Sequence, residues 1–449
     1  MSTQPAHKRG MDIASAQALI RFGLGPRPGE ALPTDPHRWL AAQLAGPDPV
    51  QFPDSLPTTA DGLIMLREQR RLKPPPGGSL VEPLYRADAA AQLAVLLNAQ
   101  APFRERLVWF WANHFTVSIR QGGVRPIAGA FVREAIRPHV TGHFGDMLLA
   151  VMRHPAMLLY LDNAGSVGPD SPAGQPNDKH ARRGLNENLA RECLELHTIS
   201  PAAGYSQADV TAFAAILTGW SIDQDAAQPG FVFRQRAHQP GDKLLMGRSF
   251  PEGEAGGVLA LDMLASHPAT YRHLAQKLAV HFIADQPTPS DVGALTAVLQ
   301  DTRGDLAATS LALTRLPAAW DPATKFRTPL DYVVAGLRAL DLPPAAEPEV
   351  PGEKIAGMLR ALGQPVWEAP LPNGWPDRAA DWAAPEAMLA RIDWSYRISG
   401  RANGVEPMQI AHASLGPMLR PQTVAQIGGA GDRRDALTLL LSSPEFQRR

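Results

Sequence analysis

The sequence predicts a mainly α-helical fold, an irregular multi-helix array with at most one small β-hairpin. Three observations carry that expectation. Apolar residues recur at three- and four-residue spacing through most of the 449 residues. Strand-like runs are confined to Phe231-Val232-Phe233-Arg234 and Lys243-Leu244-Leu245-Met246, which are short, separated by Gly and Pro, and able to pair as one hairpin. No segment repeats at a fixed period and no strands alternate with helices, so neither a solenoid nor a parallel sheet is indicated.

Taken in order, residues 1–11 read as a polar, disordered tail. A helical pattern starts at Asp12 and stops at the breaker Gly23-Leu24-Gly25-Pro26. Further helical stretches span 37–45, 58–71, 84–98, 103–116, 127–137, 144–152, 185–198, 207–220, 257–266, 270–284, 290–301, 306–314 and 329–340. Ser206 reads as an N-cap and Asp209 as its capping-box carboxylate, while Gly219 is a stop signal. These stretches make a main helical domain, 12–340, interrupted by a long Gly/Pro/Ser/Asp-rich loop at 163–184. The Pro/Glu-rich run Asp341–Gly352 separates it from a C-terminal helical subdomain, 353–449, with helices over 354–362, 384–399 and 433–442.

Composition excludes several classes of function. The 43 basic and 44 acidic side chains lack the basic excess of a nucleic-acid binder. No apolar run approaches a membrane span. The single cysteine, Cys193, excludes an intrachain disulfide and a multi-thiolate zinc site, and reads as a core residue rather than a nucleophile. There is no Gly-x-Ser-x-Gly elbow, phosphate loop or dinucleotide fingerprint, so no nucleotide cofactor is expected. Lys8 and Arg9 are not followed by an apolar segment, so the chain as written reads as cytoplasmic.

Ten of the 13 histidines fall between His114 and His281, which directs attention to the central third. The sharpest element there is Asn186-Glu187-Asn188-Leu189-Ala190-Arg191-Glu192-Cys193-Leu194-Glu195-Leu196-His197. At about 100° per residue, Asn188, Arg191, Glu192 and Glu195 share one arc flanked by Glu187. Leu189, Ala190, Cys193, Leu194, Leu196 and His197 occupy the other side. Glu192 and Glu195 are i,i+3 neighbours that repel unless Arg191, a metal or a shared proton compensates, and a raised pKa on one of them suits general acid chemistry. A solvated charged face is the alternative reading of the same pattern, with His197 satisfied at the helix end.

Three further elements hold candidates. Asn113 and His114 lie in the apolar run Trp109–Phe115, where each needs a partner if buried, and His114 reads as an acid–base group or a satisfied core histidine. His238-Gln239-Pro240-Gly241-Asp242-Lys243 is either a binding loop built on His238 and Lys243 or a polar turn. Trp220 reads as core, with sugar stacking as the alternative. His139 and His143 have i,i+4 spacing, but Pro138 and Gly142 break the helix a zinc pair needs.

In this order these strings resemble the large bacterial family named domain of unknown function 1800. The resemblance is carried by Arg21-Phe22-Gly23-Leu24-Gly25, Phe110 through Phe115, His154 through Leu158, Tyr160 through Asn163, Asn186 through Glu192, Glu195 through Thr198, Leu217 through Trp220, His238 through Lys243, Gly374-Trp375-Pro376 and Ser443 through Phe446. It covers nearly the whole chain. Gln239 departs from the family pattern, which has Asp after the histidine. The resemblance implies a mostly helical protein and export for many members, so a periplasmic location is the alternative to the cytoplasm. It also implies a gene neighbour related to sulfatases and alkaline phosphatases.

Three functions follow as expectations. The first is a hydrolase acting on a polar polymer or glycan, with Glu192 as acid/base, Glu195 as its partner and His114 or His238 orienting substrate. Asn113, Asn186, Glu187, Asn188, Arg191, His197, Trp220 and Lys243 would then supply binding contacts. The second is a divalent-metal protein using Glu192, Glu195, His197 and Asp162. The third is a non-catalytic partner of the sulfatase/phosphatase-like neighbour.

Overall fold

Proline and short polar side chains set where the helices begin. The helices Pro36–Ala45, Pro102–His114, Pro268–Phe282, Pro289–Asp301, Pro329–Ala339 and Pro385–Ser399 each start on proline, where the missing N–H is not needed. Capping boxes fix two more starts, Thr58 with Asp61 and Ser206 with Asp209, and a third, Thr288 with Asp291, reinforces the start at Pro289. Two His-Pro-Ala tripeptides use imidazole in the same role. The Nδ1 atoms of His154 and His267 accept the N–H of Ala156 and Ala269, each at 3.1 Å.

The computed structural model describes residues 12–175, 184–322, 324–342, 351–402, 404 and 406–449, with the backbone alone at 351–353. The expected tail 1–11 lies outside them, as do parts of the expected loop and linker. The described residues are mainly helical, with two small antiparallel hairpins. The two strand-like runs do not pair with each other. Gly230–Phe233 pairs with Trp220–Asp223, and Lys243–Leu245 pairs with Arg248–Phe250. Trp220 therefore leaves the expected 207–220 helix, which ends at Leu217, and Gly219 turns the chain at φ +84°. Short helices at Pro155–Tyr160, Pro407–Leu415 and Pro421–Gly428 had not been anticipated, being too brief to show a period.

One apolar core runs from Phe22 to Phe446. Helix Pro102–His114 lies within it, buried at Pro102 through Val108 and again at Phe110, Trp111 and His114. It joins two aromatic groups, through the contact of Phe110 with Trp111 at 5.0 Å. Phe22, Phe103, Phe110 and Phe282 meet at ring-centroid distances of 5.6–6.4 Å, and Trp111, Phe115 and Phe144 at 5.8–6.3 Å. Glu105 on the same helix meets Arg137 through two hydrogen bonds of 2.6 and 2.8 Å.

Buried arginines tie distant segments together by donating to backbone carbonyls. Arg106 reaches Gly23 at 2.6 and 2.9 Å, Arg338 reaches Gly25 at 2.7 Å, and Arg21 reaches Asp321 at 2.6 Å. The Arg21–Gly25 string is thus an anchoring turn. A side chain at Gly23 would strike the Leu19 carbonyl at 2.5 Å. Asp331 joins the network by accepting a hydrogen bond from Arg106 at 2.6 Å and forming an ion pair with Arg449 at 2.9 Å. The two arginines hold its carboxyl below the ordinary range against the opposing effect of burial, which is the largest single influence. Replacing Asp331 by Asn leaves both guanidinium groups short of their counter-charge. The expected cost is about 3–5 kcal/mol in urea unfolding; a loss below about 1 kcal/mol would show that solvent already screens these arginines.

Candidate functional site

The acidic stripe sits on a helix of two parts, α-helical over Asn188–Glu192 and π-helical over Cys193–His197. Its start is set locally, since Asn186 Oδ1 accepts the Asn188 N–H at 2.9 Å. Leu189, Ala190, Cys193 and Leu194 face the core, as the helical wheel requires. The Cys193 thiol is sealed there and burial pushes its pKa up, so it is no nucleophile.

The other end of this helix is inside the protein, so its last carbonyls need donors. Ser200 N–H donates to Leu194 at 2.9 Å and the Thr198 hydroxyl to Cys193 at 2.6 Å. Two imidazoles complete the set: His273 Nε2 donates to the Leu196 carbonyl at 2.9 Å and His114 Nε2 to that of His197 at 3.2 Å. His114 thus caps a buried helix end. The His197 ring packs against His114 and Phe115, at centroid distances of 5.9 and 5.1 Å. Neither of its nitrogens has a partner among the described residues. Burial holds all three imidazoles neutral, with Lys277 a further cause, and His197 falls to about 3.

The carboxylates stand apart from these rings. Glu187 accepts from Arg191 at 2.8 Å, Gln207 at 2.9 Å and Thr211 at 2.6 Å, which pins the stripe to helix Gln207–Leu217. Arg191 is spent on Glu187 and Gln207. Glu192 and Glu195 are half-buried and neither has a hydrogen-bond or ion-pair partner among the described residues. Burial, and after it Glu195, raises the Glu192 pKa; the pull of Arg191 is the weakest of the three influences. The Tyr160 hydroxyl is pushed up to about 12 by burial and by Glu192. A cleft of about 1000 Å³ opens beside the helix start, walled by Asn186, Glu187, Asn188, Asp162, Arg70 and Arg234.

The remaining candidates hold the frame. Asn113 clamps Trp375, donating to its carbonyl and accepting its N–H, both at 2.8 Å. His238 links the hairpins: Nδ1 donates to the Thr218 carbonyl at 2.8 Å, and Nε2 accepts from Gly253 N–H and Lys243 Nζ, each at 3.0 Å. Trp220 is fully buried against Phe231 and Gly257. For a metal the donors do not converge, because His197 lies on the core side of the helix while Asp162 is exposed. Among the described residues no three His, Cys, Asp or Glu side chains group to hold an ion, and no helix is long and apolar enough to cross a membrane. Sequence reasoning missed Tyr160 and His273. His273, Lys277 and His281 form an i,i+4,i+8 polar line along helix Pro268–Phe282, which was the available signal for the second.

The model of a protein family of unknown function, DUF1800, matches residues 17–448. The chain belongs to that family. No curated protein and no solved structure matches the chain significantly. Seen against this geometry, several DUF1800 strings are architectural: Arg21–Gly25 anchors the N-terminal turn, Asn113 clamps Trp375, and His238 joins the hairpins. The string Asn186–His197 carries the unpartnered carboxylates.

The neutral imidazoles make stability pH-dependent. Their native pKa values lie below the ordinary 6.5, so their stabilisation is complete above that pH and is lost as pH falls towards the native values. His197 alone should cost on the order of 2 kcal/mol between pH 6.5 and 5. Urea midpoints should drop over this interval, and less in His197→Phe. Equal pH slopes in the two proteins would show that this ring is protonated or solvated in the fold.

Proposed function

We propose that this protein is an acid–base hydrolase acting on a polar polymer or glycan. Glu192 is the proton donor and Glu195 its carboxylate partner, and the cleft walled by Asn186 and Asn188 receives the substrate. One observation carries the reading: Glu192 is a half-buried carboxyl group with a raised pKa, beside a second carboxylate, and among the described residues no hydrogen-bond donor or ion-pair partner meets it. A carboxyl that merely stabilised the fold would be paired, as Glu187, Glu105 and Asp331 are. Neither Glu192 nor Glu195 lines the polar cleft; Glu192 stands one helical turn beyond Asn188, which does, and an unpaired carboxyl there can hold a proton at higher pH and deliver it to a leaving group. Asn186 and Asn188 supply uncharged hydrogen-bonding groups suited to hydroxyl-rich substrates.

The test is a hydrolysis screen over glycosides, polysaccharides and glycan esters. Glu192→Gln should lower turnover of any substrate found by about 10²- to 10⁴-fold with an unchanged urea midpoint. Turnover equal to that of the unsubstituted protein would remove Glu192 from the chemistry, and a collapsed midpoint would make it architectural.

A second reading, the non-catalytic partner of a sulfatase/phosphatase-like protein, is favoured by helix Pro385–Ser399. It leaves Leu389, Ile392 and Tyr396 63, 41 and 44 % exposed at i, i+3 and i+7. Leu389→Glu should abolish co-purification of the two proteins if this stripe is the contact. Undiminished co-purification would exclude it.

A further inference from the structure

A second cavity, of about 90 Å³, lies between helix Pro102–His114, helix Pro329–Ala339 and the segment 364–377, away from the acidic stripe. Its wall is mostly apolar, with three indoles, Trp109, Trp367 and Trp375, beside Phe110, Leu96 and Val334.

The backbone is bent to put two of those indoles in place. Trp367 is a bulky residue in the left-handed region at φ +52°, a strained conformation held in part by Ile119 N–H donating to its carbonyl at 2.8 Å. Gly374, next to Trp375, turns at φ +77°, and a side chain there would meet the Asn113 carbonyl at 2.5 Å. Backbone strain of this kind persists where surrounding structure enforces it, and it concentrates at binding sites.

The charged groups in the wall are spent on each other. Arg106 pairs with Asp331 at 2.6 Å, and its remaining bonds run to the Gly23 carbonyl. His281 Nδ1 meets Asp377 at 2.8 Å, and its Nε2 is sealed from solvent, which leaves no accessible base. The Asn113 amide is committed to Trp375, and Gln364 Oε1 accepts the Leu330 N–H at 2.8 Å. An ionic ligand would therefore be desolvated without a counter-charge, whereas a flat apolar one gains contact with indole faces and edges. At about one water per 10–15 Å³, the volume holds roughly six to nine heavy atoms.

We infer that this cavity binds a small neutral aromatic molecule, from a single ring up to the size of indole, held between the tryptophans. Titration of the full chain with indole and with toluene, followed by calorimetry and thermal unfolding, tests it. The expected result is saturable one-to-one binding with a rise in unfolding temperature, at least tenfold tighter than for benzoate or benzylammonium. Val334→Phe, which fills the cavity, should weaken indole binding at least tenfold while the protein stays folded; Ala369→Leu fills it from another wall if the first variant does not fold. Three results would each overturn the inference: no saturation up to the solubility limit, equal affinity for the charged analogues, or undiminished binding in a folded filled variant.

Discussion

The C-terminus of the Asn186–His197 helix is buried, and that constraint organises the rest of the site. Carbonyl groups that end inside a protein must find donors. Here they find the Ser200 N–H, the Thr198 hydroxyl and the Nε2 atoms of His114 and His273. The imidazoles are thereby committed to the helix end and kept neutral by burial. Their commitment fixes the rotation of the helix, so its apolar side stays in the core and Glu192 and Glu195 stay at the boundary. The Glu187–Arg191–Gln207 network holds the solvent side and engages Arg191, the basic residue on the stripe itself. The π-helical turn belongs to this arrangement, and such turns recur at functional sites.

A second layer of constraint comes from arginine. Arg21, Arg106 and Arg338 donate to backbone carbonyls far away in sequence, so the N-terminal turn, the central helix and the last residues are joined by hydrogen bonds as well as by apolar contact. The same network neutralises the charged side of the tryptophan cavity. One set of bonds therefore explains both why charge is tolerated in this interior and why the cavity wall presents no free charge to a ligand.

Much of the architecture was legible because it is local. The apolar period marked helices such as Thr59–Leu72, and together with the Ser206–Asp209 capping box it marked Gln207–Leu217, to within a few residues. The helical wheel assigned Leu189, Ala190, Cys193 and Leu194 to the core and Glu192 and Glu195 to the polar side. What stayed hidden depends on distant partners. Nothing near residue 114 or 273 indicates that each imidazole caps the same helix. Trp220 looked helical because its strand partner, Phe233, is distant in sequence, across a turn. Arg191 looked like a modulator of Glu192 and Glu195 because Gln207, on another helix, is invisible to a wheel. The cavity indoles at 109, 367 and 375 converge only through tertiary folding.

The central claim is that Glu192 is a half-buried carboxyl with no compensating partner among the described residues, and its titration tests this most directly. Side-chain carboxyl ¹³C NMR of glutamate-labelled protein can follow it, with the resonance assigned by its loss in Glu192→Gln. The expected midpoint lies above the ordinary 4.5, because burial and the neighbouring Glu195 both disfavour the charged form. A midpoint at or below 4.5 would mean that solvent or a cation already satisfies the carboxylate, and the acid–base reading would fail.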